Sequence, residues 1–340
     1  MRQPTVHDVA RLAGVSRQTV SNVVNSPDIV RADTRERVER AIRELGYSPS
    51  VAARRLRMRR SDTIGVHLDP YSGGISGVVL DRFVHALTDR ATPRGLGILV
   101  YAAADAYEEL VRLRALRERG EIDRVVLTGS VDGDPRVAWL REVGMPFVAF
   151  GRPWGAGAPD VADHAWVDVD GAAGTRAATR YARTSGPRVA FLGWPRGSGS
   201  GDDRERGWRE EMGDGAPAAL RLTSLDTVPS ARGEVERLLQ ETTLDAIVCA
   251  SDTLAVGAHL AVSHAGRTDV TVVGFDNTPV AAALGLSSVE QRPEQVAEAV
   301  LDLLVGGAPA GGRLIVPELV VRTGVRGDEV APPSALSSRG

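Results

Sequence analysis

The sequence predicts an all-α head of three short helices and a hinge helix, joined to an α/β body that contains parallel sheets. Apolar residues recur at helical spacing in the head, and from Thr63 onward short apolar runs alternate with helix-length segments. The 37 glycines and 19 prolines suit an α/β chain with many strand-to-helix turns. With 340 residues, of which 43% are hydrophobic, the chain is long enough to bury the cores of two domains.

Thr5 and Asp8 mark the start of the first helix, because a threonine three residues before an acidic residue is typical of a capping box. Apolar residues then follow at helical spacing until Gly14, which can adopt the positive φ that a tight turn requires. Val15 can fill the corner, and Ser16 is a suitable cap for a second helix. Two short helices joined by a glycine turn indicate a helix-turn-helix, although an ordinary helical hairpin shows the same pattern.

The second helix carries side chains that suit the recognition of bases. Arg17, Gln18 and Asn22 are expected to project from its exposed N-terminal side, whereas its valines face inward. The forked donors and acceptors of these residue types match base edges in the major groove of DNA. These three residues are therefore the candidate base-reading residues.

A third helix is predicted from about Asp33 to Leu45, with Gly46 as its stop signal. The strongly basic segment 51–60 follows, and its composition fits either a short helix or a solvated linker. Residues 1–60 contain 13 Arg against 6 Asp and Glu, a balance of +7. Because the whole chain carries −3, the remainder carries −10, and a basic head on an acidic body is expected of a protein that binds a polyphosphate at one end.

The body contains seven apolar runs that predict strands, and a helix-length segment separates most of them. The runs are Ile64–Leu68, Leu96–Tyr101, Val125–Leu127, Pro146–Phe150, Val189–Leu192, Ala246–Cys249 and Val270–Phe275. This rhythm implies parallel sheets built from βαβ units, in which the loops after the strand ends form a binding crevice.

Composition and motifs disfavour several classes of protein. The single Cys249 excludes an internal disulfide, and its apolar neighbours favour a buried thiol. The sequence has no run of 18 apolar residues and no apolar leader, so we expect a cytoplasmic protein that does not enter a membrane. It also lacks a Gly-x-Ser-x-Gly elbow and a Walker loop, and His259 and His264 are not spaced to share zinc on one helix face. We therefore expect no enzyme activity, no catalytic residues, no metal and no cofactor.

The head resembles the LacI/GalR repressor family. The motifs that carry the resemblance are DVARLAGVSRQTVSNVVN at 8–25, TRERV at 34–38 and LGYSP at 45–49. The resemblance assigns Arg17, Gln18 and Asn22 to base contacts. It assigns contacts with the DNA backbone to Thr5, Ser16, Ser21 and Asn25.

The resemblance also implies a hinge helix that binds DNA next to the head. Leu56 stands where the family places a leucine in the minor groove, where it can partly unstack a base step and bend the duplex. Ala53 is small enough for two hinge helices to pack together, and the basic Arg57 adds a DNA contact. One departure is Arg31, which stands where many members have a serine cap, and it moves the expected cap of the third helix to Asp33.

The body is similar to the sensor of the same family, which has the fold of type I periplasmic binding proteins. The matching segments are IGVHLDP at 64–70, RERGW at 204–208, SDTLAVG at 251–257 and VVGFDN at 272–277. The resemblance implies two lobes, three crossovers and a homodimer. The candidate effector-binding residues are Asp69, Trp194, Arg204, Ser251 and Asp276.

The chemistry of these candidates suits a sugar. The guanidinium of Arg204 can donate hydrogen bonds to sugar oxygens, and the carboxylate of Asp276 can accept them from sugar hydroxyls, both in fixed geometry. The two side chains can also form an ion pair with each other. Trp194 follows a strand end, where it can stack on a sugar ring or belong to the core, and Trp154 and Trp166 are weaker candidates. Ser251 replaces the asparagine usual in the family, which indicates an unusual effector.

The expected domains follow from these assignments. They are a helix-turn-helix domain at 1–49, a hinge at 50–61, a two-lobed effector-binding and dimerisation domain at 62–327, and a flexible tail at 328–340. The first lobe is expected to take 62–160 and 290–327, and the second lobe 161–289.

The combination favours a transcriptional regulator, a repressor, that binds a palindromic operator as a dimer under the control of a small molecule such as a sugar or sugar derivative. A sugar-binding protein without a regulatory role explains the body but leaves the basic head unexplained. A nucleotide-binding enzyme is another alternative, because 197–201 contains half of a glycine fingerprint. The charged residues 202–204 that follow indicate a loop of low phosphate-binding value.

Overall fold

The computed structural model describes residues 4–25, 27–47, 61–68, 75, 77–129, 133–154, 164–213, 217–307 and 310–322. The chain divides into two compact units, Met1–Ser61 and Asp62–Gly340. Each unit has its own hydrophobic core.

The described residues of the first unit contain three α-helices, as predicted. They are α1 (Val6–Ala13), α2 (Arg17–Asn25) and α3 (Ala32–Leu45). Each helix places small apolar side chains on one face, and Val9, Val20 and Val38, all fully buried, form the centre of the core. The helical spacing of apolar residues therefore predicted the head correctly.

The predicted cap of α3 is wrong. The helix begins at Ala32, so its N-cap is Arg31, which makes no side-chain capping bond among the described residues. Asp33 lies in the first turn instead, where the helix dipole stabilises a carboxylate. The helix ends at the predicted Gly46, whose backbone N–H bonds the last carbonyls of the helix.

The second unit is an α/β structure of two sheets with helices packed on them. Its helices are α4 (Gly77–Ala91), α5 (Ala106–Glu118), α6 (Pro135–Glu142), α7 (Gly171–Ala182), α8 (Ser200–Met212), α9 (Val228–Glu241), α10 (Asp252–His264), α11 (Pro279–Ala283) and α12 (Pro293–Gly306). Its strands are β1 (Thr63–Leu68), β2 (Gly97–Ala102), β3 (Arg124–Thr128), β4 (Phe147–Phe150), β5 (Ala165–Val169), β6 (Val189–Gly193), β7 (Arg221–Thr223), β8 (Ala246–Cys249), β9 (Thr271–Phe275), β10 (Ser287–Glu290), β11 (Gly311–Ile315) and β12 (Glu318–Val320). All seven predicted strands are present, with small shifts at their ends.

Each sheet has six strands in the described part of the chain. The first has the order β11-β5-β4-β3-β1-β2 and is parallel throughout. The second has the order β12-β10-β9-β8-β6-β7 and is parallel except for β12, which is antiparallel to β10. The prediction of parallel sheets in a two-lobed body is therefore confirmed.

Among the described residues, the chain passes between the two sheets three times, after β5, after β10 and after β11. Two strands lie outside the expected lobe boundaries. Strand β5 pairs with β4 in the first sheet, beyond the predicted end of that lobe near 160. Strand β12 joins the second sheet, although it lies within 290–327, which the sequence predicts to belong to the first lobe. Antiparallel pairing with β10 holds β12 in the second sheet.

Two smaller features of the fold bear on function. Cys249 is buried in β8, as predicted, and burial raises the pKa of its thiol well above the ordinary value. None of the helices described is long and apolar enough to cross a membrane.

Candidate nucleic-acid interface and ligand cleft

The turn between α1 and α2 has the geometry that the sequence predicted. Asp8 accepts hydrogen bonds from the backbone N–H and the hydroxyl of Thr5, at 2.9 and 2.7 Å, which fixes the start of α1. Gly14 has a φ of 64°, a conformation that L side chains rarely adopt, and it ends α1. Ser16 Oγ accepts from the backbone N–H of Thr19 at 3.1 Å and so caps α2.

The three candidate base-reading residues lie within the first two turns of α2. Arg17 and Gln18 are exposed and Asn22 is half-buried. Gln18 Nε2 donates to Asn22 Oδ1 at 3.0 Å, and Arg17 Nη1 lies 3.1 Å from Nε2 of His7. The bond between the amides aligns two side chains one helical turn apart, and it uses neither the Gln18 oxygen nor the Asn22 amino group. A base edge can meet both of these groups.

The remaining DNA-binding candidates are placed in part. Thr5 and Ser21 are half-buried and Ser16 is exposed, and Asn25 is the last residue of α2. The side chain of Asn25 lies outside the described residues. The hinge candidates Ala53, Leu56 and Arg57 also lie outside them, as does Asp69 of the body.

Arg204 lies near the start of α8, at the carboxyl edge of the second sheet. Its Nη1 donates to the carbonyl of Ala250 at 2.5 Å and lies 3.7 Å from Asp276 Oδ1, a charge contact longer than a hydrogen bond. The guanidinium carbon lies 3.8 Å from the ring centre of Phe275 and 5.3 Å from that of Trp194. Arg204 is therefore buried between two aromatic rings, with one edge toward Asp276.

Asp276 directly follows β9 and has a φ of 113°, which is strained for a residue with a side chain. Its Oδ1 accepts from Nε2 of Gln291 at 2.6 Å. Burial raises the pKa of Asp276 to about 7, with Arg204 opposing the shift and Asp252 adding to it. The structure thus brings Arg204 and Asp276 together, and both are almost fully buried. A strained backbone next to a buried carboxylate is typical of a functional site.

Ser251 is fully buried and caps α10, where its Oγ accepts from the backbone N–H of Leu254 at 3.2 Å. The same hydroxyl donates to Asp226 Oδ1 at 2.5 Å. Both hydrogen bonds orient the start of α10. Any role of Ser251 in binding an effector therefore has to act together with Asp226.

The three tryptophans differ in their surroundings. Trp194 is half-buried beside Arg204, whereas the ring of Trp154 lies 4.6 Å from the guanidinium of Arg152. Trp166 is buried in the core of the first lobe. Of the three, only Trp194 contacts a candidate effector-binding residue that the structure describes.

An ion-pair cluster that the sequence did not predict lies between the two sheets. Arg152 follows β4, and its Nε donates to Asp168 Oδ2 of β5 at 2.7 Å. Its Nη2 donates to the Val169 carbonyl at 2.9 Å and to Asp203 Oδ2 of α8 at 3.2 Å. The Asp203 carboxylate also accepts from the backbone N–H of Ala172 at 3.0 Å. Arg152 thus connects the first sheet to the helix that carries Arg204. The sequence feature that could have identified Arg152 is its position directly after a predicted strand.

The glycine-rich segment 197–201 has no phosphate-binding shape. Residues 197–199 precede α8, as expected of a loop, whereas Ser200, Gly201 and the charged residues 202–204 belong to the helix. Asp202 Oδ2 accepts from the backbone N–H of Gly197 at 2.8 Å. A phosphate bound in this segment would need that N–H as a donor. A Cβ built on Gly199 would lie 2.5 Å from the ring of Trp154, so this glycine allows close packing.

Known proteins match both units of the chain. Residues 5–50 match the family model described as bacterial regulatory proteins, lacI family, and 181–325 match the periplasmic binding protein-like domain. The chain is 34% identical over 342 residues to the HTH-type transcriptional regulator CelR of Thermobifida fusca, which covers 94% of this chain and 98% of the relative.

Two solved structures are similar over the same length. A complex of the transcriptional regulator CelR with cellobiose has a TM-score of 0.66 and 29% identity, and covers 94% of this chain and 99% of that chain. The lac repressor dimer bound to operator and the anti-inducer ONPF has a TM-score of 0.79 and 25% identity, and covers 94% of this chain and 98% of that chain.

Proposed function

This chain belongs to the LacI family of bacterial transcriptional regulators, and on that premise we propose that it is a repressor controlled by a sugar. The head binds operator DNA through Arg17, Gln18 and Asn22. The cleft of the second unit binds the effector through Arg204 and Asp276. The relatives are regulators and not enzymes, and binding to DNA puts the site of action in the cytoplasm.

The observation that carries the proposal is that one chain holds both a helix-turn-helix head of this family and a buried Arg204–Asp276 pair at the carboxyl edge of a parallel sheet. A sugar-binding protein without a regulatory role needs only the cleft. The CelR structure contains cellobiose, which supports a sugar as the effector here. Buried donors and acceptors in fixed positions suit the hydroxyl groups of such a ligand.

We assign the hinge to 50–61 and the remaining contacts by the family pattern. Leu56 enters the minor groove, Ala53 allows two hinge helices to pack, and Arg57 contacts DNA. Asp69 faces the effector from the first lobe. The domain boundaries near 49, 61 and 327 belong to the same proposal, with 328–340 as a tail.

The exposed apolar residues of the first lobe suit an interface with a second copy of the chain. Strand β2 is at the edge of the first sheet, and its Val100 is 45% exposed. On α5, the next helix, Tyr107 and Val111 are 76% and 62% exposed and lie one turn apart. Large exposed apolar residues near an edge strand are typical of an interface. Two-fold symmetry of a dimer then requires an inverted repeat in the operator.

Selection from random duplexes, followed by fluorescence anisotropy titration, tests this function. We expect a palindromic consensus that the protein binds far more tightly than a scrambled duplex, with affinity falling steeply between about 50 and 200 mM salt. Sedimentation with the operator present should show a dimer. A folded protein that binds sugar but no duplex at low salt would favour the sugar-binding alternative.

A further inference from the structure

The sequence suggests that a ligand stacks on the ring face of Trp194, but the structure leaves the indole N–H edge as the more suitable group for a ligand. The guanidinium of Arg204 lies over the indole at 5.3 Å from the ring centre, so part of one face is covered. A Cβ built on Gly201 would lie 2.8 Å from Cε3 of Trp194, so the backbone of α8 also packs closely against the indole. The polar edge of the ring then becomes the group to consider.

Two buried N–H groups in this place have no hydrogen-bond partner among the described residues: Trp194 Nε1 and Arg204 Nε. Buried donors are nearly always paired, because leaving one unpaired is unfavourable. Here two unpaired donors belong to side chains in contact with each other, at the edge where β6 and β9 end. A ligand that presents oxygen acceptors would satisfy both.

The charges around Arg204 decide which kind of acceptor fits. Burial lowers the pKa of Arg204, and the carboxylates that oppose this shift are those of Asp276, Asp168, Asp226 and Asp203. Two further cations pair with these carboxylates: Arg152 binds Asp168 and Asp203, and Arg206 binds Asp203. Three guanidinium groups therefore face four acidic side chains, and a phosphate would add further negative charge in a buried setting. An uncharged hydroxyl or ring oxygen is the acceptor that fits these charges.

We propose that Trp194 is a specificity-determining residue that donates its indole N–H to an oxygen of an uncharged, polyhydroxylated effector, next to the oxygen bound by Arg204 Nε. The acidic surroundings select against the phosphorylated form of the same sugar. This inference rests on the proposed function, because it takes the cleft as the effector site. It specifies the atom through which Trp194 binds the ligand and the charge of that ligand, neither of which the family pattern supplies.

The test compares matched ligands by thermal shift and calorimetry on the full chain. The probes are cellobiose, glucose, ribose, glucose 6-phosphate and ribose 5-phosphate. We expect at least one uncharged sugar to bind, and any phosphorylated counterpart to bind about 100-fold more weakly or not at all. A sugar phosphate that binds as tightly as its parent sugar, or better, would overturn the inference, as would a panel in which no sugar binds to protein that still binds its operator.

The variant Trp194→Phe isolates the indole N–H, because it keeps an aromatic ring and removes the donor. For the sugar of the panel that binds, we expect about a tenfold loss of affinity, with unchanged operator affinity in the absence of sugar and an unchanged melting temperature. Trp166→Phe is the matched control, since Trp166 Nε1 is also buried without a partner among the described residues but lies in the core of the first lobe. It should leave sugar affinity within twofold.

The outcomes separate this inference from the proposed function. Equal sugar affinity in Trp194→Phe and the unmodified protein would refute the role of Trp194 and leave the regulator intact. Sugar binding that depends on Trp194 but has no effect on operator affinity would support the subsite and contradict the proposed control of DNA binding.

Discussion

Gln18 is the side chain whose loss should change base preference most simply. Its amide is exposed, and the bond to Asn22 holds it in one orientation on α2. Gln18→Ala should relax the preference at one symmetric pair of operator positions, since a good bidentate contact contributes about 1 to 3 kcal/mol of discrimination. Selection from random duplexes measures this. Arg43→Ala, an exposed substitution on α3, is the control and should keep the consensus. An unchanged consensus for Gln18→Ala would show that Gln18 does not read a base.

Asp276 should make effector affinity depend on pH near neutrality. Burial raises the pKa of this carboxyl to about 7, so the unliganded protein holds the acid below that pH and the carboxylate above it. Effector hydroxyls donate to the carboxylate, so affinity should rise from pH 6 to pH 8, by no more than about tenfold per unit. Calorimetry with the bound sugar checks the slope. Asp276→Asn should flatten it, and a flat profile in the unmodified protein would contradict the assignment.

Single residues were predictable where their chemistry follows a local pattern. Ser16 could be predicted as a cap because capping needs only the residues that follow it in the chain. Arg204 and Asp276 could be predicted from the family motifs, and the structure brings them to 3.7 Å. The bond between Arg152 and Asp203 joins positions 51 residues apart, and no local spacing signals such a contact.

At the scale of elements, Gly207 sets how closely two helices of the second lobe approach. A Cβ at Gly207 of α8 would lie 2.2 Å from the carbonyl oxygen of Ala172 in α7. Gly207→Ala should therefore push α8, which carries Arg204, away from α7. We expect a lower melting temperature and weaker sugar binding. Gly233→Ala on α9 is the matched control, because nothing lies within 4 Å of its Cβ position. It should stabilise the protein by about 0.5 to 1 kcal/mol. Equal melting temperatures for the two variants would contradict the packing argument.

The Arg152 cluster should contribute to stability more than the exposed ion pairs do. Arg152→Met leaves the buried carboxylate of Asp168 without its cation and leaves Asp203 with Arg206 alone, a loss of about 3 to 5 kcal/mol in the free energy of unfolding. Arg180→Met is the control, since Arg180 pairs with Glu211 at the surface with 71% of its side chain exposed, and such pairs contribute little to stability. Urea unfolding monitored by fluorescence compares them. A similar small loss in both variants would show that the cluster contributes little.

Strands were predictable in proportion to how apolar they are. The seven predicted strands are mainly apolar runs, and all of them except the edge strand β2 are largely buried in a parallel sheet. Strand β11 is exposed along most of its length, so selection for apolar residues does not mark it. Strand β10 is buried but begins with two serines, and the second of them, Ser288, donates to Asp252 Oδ1 at 2.6 Å. A buried hydrogen bond there replaces the apolar contact that a sequence pattern would reveal.

In the whole molecule, one chain carries both the residues proposed to bind DNA and the residues proposed to bind the effector. A ligand can change operator affinity only through a difference in its affinity for two states of the sensor. The candidate effector residues of the cleft and the candidate base-reading residues belong to separate compact units. Substitutions in the cleft should therefore alter the response to the effector while leaving the intrinsic affinity for DNA in place.

Operator titration with and without the bound sugar, for the unmodified protein, Arg204→Ala and Asp276→Ala, measures whether the sensor controls DNA binding. We expect both variants to keep operator affinity within a few-fold in the absence of sugar and to lose most of the effect of the sugar. The loss should be larger for Asp276→Ala, because unpaired ligand hydroxyls cost about 1 to 3 kcal/mol each. Variants that still respond at the sugar concentration that suffices for the unmodified protein would contradict the account and place the effector elsewhere.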